Sequence, residues 1–115
     1  MLAAIDRIQR NTADKSEQTL RDDEIFFYGI VKNIEIIGEA AYKLSLAFKD
    51  RHPDTPWRSI VRMRHVLVHG YYTVDESETW QVIESDLAPL REQIARYLAE
   101  TNWEEWESRP FDAAE

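Results

Sequence analysis

A chain of 115 residues, 43% hydrophobic and 31% charged, is the length of a single domain and too apolar to be disordered. It has no cysteine, which excludes disulfides, thiolate metal sites and cysteine nucleophiles. Its net charge of −8 sets most of its surface against phosphate backbones, and no run approaches the roughly 18–20 apolar residues of a membrane span, so a cytoplasmic protein without membrane contact is expected.

Along the chain, Leu2, Ile5 and Ile8 recur at helical spacing beside Ala3 and Ala4, which predicts a short amphipathic helix from Met1 to about Asn11. Ser16 is placed to cap a brief turn through Leu20. Asp22 or Asp23 then starts the longest predicted helix, which runs to Lys49 with Phe26, Phe27, Ile30, Val31, Ile34, Ile37, Ala41, Leu44 and Phe48 as its core stripe. Gly29 and Gly38 lie inside it, each costing about 1 kcal/mol against Ala, a cost that close helix–helix contact would explain. Asp50 to Pro56 reads as a loop, with Thr55 as N-cap and Pro56 at the first helical position, where a missing N–H costs nothing.

The next predicted helix spans Trp57 to His69 and ends at Gly70. Tyr71 to Val74 connect it to a last long helix opened by Asp75 or Ser77, whose buried face is Trp80, Val82, Ile83, Leu87, Leu90, Ile94, Tyr97 and Leu98. Pro89 predicts a kink or a break there. The tail from residue 99 to 115 holds six acids against one arginine, and its Trp103, Trp106 and Phe111 are expected to pack on something. The reading is therefore all-α, an up-and-down bundle of four to five helices over residues 1–98 followed by an acidic, aromatic tail over 99–115. With only three glycines, the chain has no Gly-rich phosphate loop and is not read as an NTPase.

Charge is distributed unevenly. Arg51, Arg58, Arg62 and Arg64 face a single acid, Asp54, between positions 51 and 72, where all three histidines also lie. That segment carries +3 and the rest of the chain −11, so a local anion site is expected in a protein kept soluble by acidity elsewhere. Within it, RHVLVHGY (64–71) spells R-x4-H-x-Y. Arg64 offers a permanent cation with a planar fork of donors, and His69 can accept and donate a proton near neutral pH. Together they suffice for metal-free RNA cleavage: the base takes the proton of a ribose 2′-OH while the cation stabilises charge on the phosphoryl oxygens.

Five positions along a helix separate Arg64 and His69 by about 140° around its axis, so one chain splays them and a two-fold dimer is needed to gather both into one cleft. Taken on spacing alone, a structural histidine beside a solvated arginine remains the simpler alternative. His65 and His69, i and i+4, could ligate zinc, but only Val66, Leu67 and Val68 lie between them and Arg62 and Arg64 repel a cation, so no metal is expected. Glu39 either belongs to a solvated face with Glu35 or faces the Arg64 helix and orients its guanidinium. The tryptophans read as core or interface anchors ahead of base-stacking platforms.

NIEIIGEAAYKLS (33–45), RHPDTPWRSIVRMRHVLVHGYYTVD (51–75) and ESETWQVIESDLAPL (76–90), in that order, make the chain resemble the HepT family of the HEPN superfamily over roughly residues 1–98. The resemblance implies a HEPN-like bundle, a homodimer and a toxin RNase that needs no cofactor. Its composite site would lie in the dimer cleft, with Arg64 and His69 catalytic and His65, Arg62 and Glu39 supporting. RNA would be cut to a 2′,3′-cyclic phosphate. The resemblance also implies a minimal nucleotidyltransferase (MNT) antitoxin that, in some members, transfers AMP to the motif tyrosine, here Tyr71. His65 stands where the family most often has Asn, and the first helix is short for the family. The alternative is a non-catalytic dimeric helical module that binds nucleotide or presents a substrate residue to a nucleotidyltransferase; R-x4-H favours catalysis, and the charge of −8 favours a protein–protein role.

Overall fold

Apolar residues at three- and four-residue steps become helices throughout the residues described by the computed structural model, 1–62 and 76–100. Among them no strand occurs. The helices are α1 (Leu2–Thr12), α2 (Glu17–Asp22), α3 (Glu24–Lys43), α4 (Leu46–Arg51), α5 (57–62), α6 (Glu76–Gln81) and α7 (Leu87–Glu100), with a π-helical stretch, Val82–Asp86, joining the last two. The result is the all-α bundle expected, with more and shorter pieces.

The α1 helix packs on α3 and α7, and α2 packs on α3 and α6. Ile5, Ile8, Ile34, Ile37, Leu20 and Leu87 are almost wholly removed from water at the centre. Each contributes about 1.5–3 kcal/mol by burial. Phe27, Ile30, Ala41, Leu90, Ile94 and Tyr97 extend this core along α3 and α7. Polar ties cross its edges: Arg7 Nη1 donates to Asn33 Oδ1 at 2.5 Å, and Arg91 Nε to Asp6 Oδ1 at 2.6 Å. The hydrogen bond from Arg91 and then the charge of Asp6 raise the guanidinium's pKa above its ordinary value.

Several expectations are corrected in detail. The long helix does not reach Lys49. Leu44 turns to an extended conformation, and the Ser45 hydroxyl accepts the Phe48 N–H at 3.0 Å, capping a separate α4. A serine side chain offers the backbone this alternative to helix continuation. Asp23, with Oδ1 3.0 Å from the Phe26 nitrogen, is the cap of α3. Gly38 is buried, but Gly29 is exposed and a Cβ there would meet nothing within 4 Å, so no close contact among the described residues explains it.

The helix α4 also carries Asp50 and Arg51, so the following loop begins at His52. Ser77 does not open α6; it lies in the first turn after Glu76. Its hydroxyl accepts from Arg21 at 2.8 Å and donates to Glu17 at 3.2 Å. Asp75, the other candidate, lies outside the described residues. Around Pro89 the helix widens without breaking: the Leu87 N–H reaches back five residues to the Val82 carbonyl. Proline at 89 has no N–H for the Ser85 carbonyl, and its ring would clash with that carbonyl in a regular α-helix. The π-helical stretch ends at Asp86, three residues before this proline. Leu98, expected on the buried face, is 40% exposed.

Candidate functional site

The motif R-x4-H-x-Y is approached from α5, and α5 is held by a cluster that hydropathy alone does not reveal. Thr55 is 2% exposed, and its hydroxyl is spent on α7: it donates to Gln93 Oε1 at 3.0 Å and lies 2.5 Å from the Tyr97 hydroxyl. Gln93 Nε2 returns a bond to the Asp54 carbonyl at 3.3 Å. Next to it His52 stacks on Tyr97 with centroids 3.9 Å apart, and Phe48 lies 4.6 Å from the same imidazole. Trp57, 8% exposed, donates its indole N–H to the His52 carbonyl at 2.9 Å and meets Phe48 edge-on. The first residues of α5 are thereby fixed to both α4 and α7.

The far side of the motif is anchored as well. Arg21 of α2 reaches Glu17 Oε2 at 2.7 Å, Ser77 Oγ at 2.8 Å and Glu76 Oε2 at 3.6 Å, which ties the start of α6 to α2. The start of α5 and the start of α6 are thus each tied to the bundle. Arg64, His65, His69 and Tyr71, with the predicted helix end at Gly70 and the Tyr71–Val74 connection, lie outside the described residues. So do Trp103, Trp106 and Phe111.

Two of the predicted supporting residues are described. Arg62 is exposed on α5. Glu39 pairs with Lys43 one turn away on α3 at 3.4 Å, its side chain 43% exposed. Glu35 pairs with Lys32 at 3.7 Å. The Lys43 pair gives Glu39 a partner on its own helix. Its alignment with Arg64 involves a residue outside the described set.

Sequence reading missed a groove of about 540 Å³ lined by Tyr42, Leu46, Lys49, Trp57, Arg58, Val61 and Arg62. It lies where the end of α3, α4 and α5 meet, and no acid lines it among the described residues. Lys49 Nζ donates to the Tyr42 carbonyl at 3.3 Å, holding the ammonium against one wall. A clue was available in the charge count, since Arg58 and Arg62 are i, i+4 and so share a helix face. Lys49 lies two residues before the basic segment 51–72, in a stretch whose apolar periodicity points only to a core.

The family model described as Ribonuclease HepT-like matches residues 1–97, which include the whole R-x4-H-x-Y motif. The chain belongs to the HepT-like family. A Thermococcus cleftensis protein named "Probable ribonuclease HepT" is 33% identical over 88 residues, covering 76% of this chain and 80% of its own. A Methanocaldococcus jannaschii protein, named a gamma-glutamylcyclotransferase and proposed RNase, is 32% identical over 100 residues. That match takes in 87% of this chain but only 45% of the larger relative. A proposed RNase of Caldanaerobacter subterraneus is 33% identical over 76 residues, 66% of this chain and 68% of its own. No solved structure matches the chain. Among the described residues no helix is long and apolar enough to cross a membrane.

Proposed function

We propose that this HepT-like chain is a metal-independent endoribonuclease and the toxin of a toxin–antitoxin pair. The observation that carries the reading is the family match over residues 1–97 with R-x4-H-x-Y inside it. His69 takes the proton from a ribose 2′-OH, and the freed oxygen attacks the adjacent phosphorus. The P–O5′ bond breaks, the 5′-oxygen leaves with a proton, and the upstream fragment keeps a 2′,3′-cyclic phosphate. Arg64 stabilises the charge on the non-bridging oxygens in the transition state. R-x4-H spacing on a helix would set the two side chains about 140° apart, and on that reading the site is shared between the subunits of a homodimer.

Control comes from a nucleotidyltransferase antitoxin that transfers AMP to the Tyr71 hydroxyl. Each added phosphate places an anion beside Arg64, and the nucleotide blocks the cleft. Tyr71 completes the motif, whereas the neighbouring Tyr72 does not. Expression of the chain alone, beside its His69→Ala variant, tests the reading: the parent should arrest growth and fragment RNA, and the variant should do neither. Equal effects of the two on RNA integrity would refute it.

A further inference from the structure

We propose that the groove bounded by Tyr42, Leu46, Lys49, Arg58 and Arg62 binds single-stranded RNA beside the cleaved bond, its cations on phosphates and its apolar floor under the bases. The inference rests on the RNase reading above and adds a substrate subsite to it.

Lys15, Arg21, Lys32, Lys43 and Arg91 are each within ion-pair distance of a carboxylate. Of the other cations, Lys49, Arg58 and Arg62 have no such partner among the described residues, and these three border one groove. Arg58 and Arg62 stand one turn apart, about 6 Å along the axis of α5, so they follow a strand and do not converge on a point. Between these cations lie two exposed apolar side chains, Tyr42 at 47% and Leu46 at 52%. A cationic rim over an aromatic surface is the arrangement that takes single strands with little regard to sequence. The α5 wall carries Arg58 and Arg62, and Arg64 of the motif follows two residues later in sequence. An acidic peptide would satisfy the same charges, but it would use neither that continuity nor a half-exposed tyrosine face.

The test measures binding of a short, mixed-sequence, single-stranded RNA to the full chain carrying His69→Ala, which leaves the RNA uncut, across a salt series. Lys49→Gln with Arg58→Gln should weaken binding and flatten the slope of log affinity against log salt by about 1.4, near 0.7 for each phosphate that is no longer neutralised. Lys49→Arg with Arg58→Lys should keep the slope, and Tyr42→Ala should lower affinity about fivefold or more without changing it. Unchanged affinity and slope in the double Gln variant, with the parent binding RNA, overturn the groove and leave the RNase reading standing. If that variant instead loses a co-expressed nucleotidyltransferase, the groove belongs to a protein partner and the inference is wrong. A His69→Ala parent that binds no RNA overturns both.

Discussion

Thr55 shows how a single hydroxyl can serve a site it does not touch. Buried and bonded to Gln93 and Tyr97, it fixes the start of α5, which precedes Arg64 in sequence. Thr55→Val keeps the shape and removes the bonds, and should cost about 1–2 kcal/mol in urea unfolding. Cleavage should fall by more than the loss of folded protein explains, because the start of α5 loosens; a fall matching folded fraction alone would limit Thr55 to stability. His69 makes a separate demand. If it moves a proton without metal, cleavage should survive a chelator and change with pH around about 6–7.5. Loss of cleavage with EDTA and its return with zinc would revive the His65/His69 ligand pair. Tyr71→Phe should stay toxic yet escape a co-expressed nucleotidyltransferase, since the ring remains and only the acceptor oxygen is gone. Adenylate found by mass spectrometry on Tyr72, with Tyr71 unmodified, would reassign the regulatory hydroxyl.

At the scale of elements, what could be read from the sequence depended on how local its cause was. The stripes of α1, α3 and α7 repeat over several turns, and Ile5, Ile8, Ile34, Ile37, Leu90 and Ile94 are buried as their spacing required. The end of α3 was missed because apolar periodicity continues through Leu44 to Phe48 while one side-chain cap at Ser45 interrupts the backbone. Thr55 precedes Pro56 in a sequence that reads as a cap, and only tertiary structure brings Gln93 and Tyr97 to its hydroxyl. Ser77 reads as a cap for the same local reason and serves Arg21 and Glu17 on another helix. The groove has the same cause: its walls come from three helices, so no window of sequence contains it. The motif R-x4-H-x-Y, by contrast, is contiguous and visible at once. Ser45→Ala should therefore cost about 1 kcal/mol, the usual cost of losing an N-cap. If α4 is an independent element, thermal unfolding will register that loss; an unchanged midpoint would mean that α3 continues through Ser45 when the cap is removed.

The proposed site requires the whole molecule to bring Arg64 and His69 together, because R-x4-H spacing on a helix would set them about 140° apart. The exposed α3 face with Ile25, Tyr28, Gly29 and Ile36 has no partner among the described residues. Sedimentation equilibrium should find a dimer at micromolar concentration. A dimer alone would not show that the site is shared, so the decisive measurement is complementation. One tagged subunit carries Arg64→Ala and a differently tagged subunit carries His69→Ala, each inactive as a homodimer. If both chains contribute to one cleft, the mixed dimer purified through both tags retains one arginine and one histidine there. It should recover measurable RNA cleavage, while neither parent shows any. A mixed dimer as inactive as its parents would mean that each chain must supply both residues itself, which a regular helix from Arg64 to His69 would not allow.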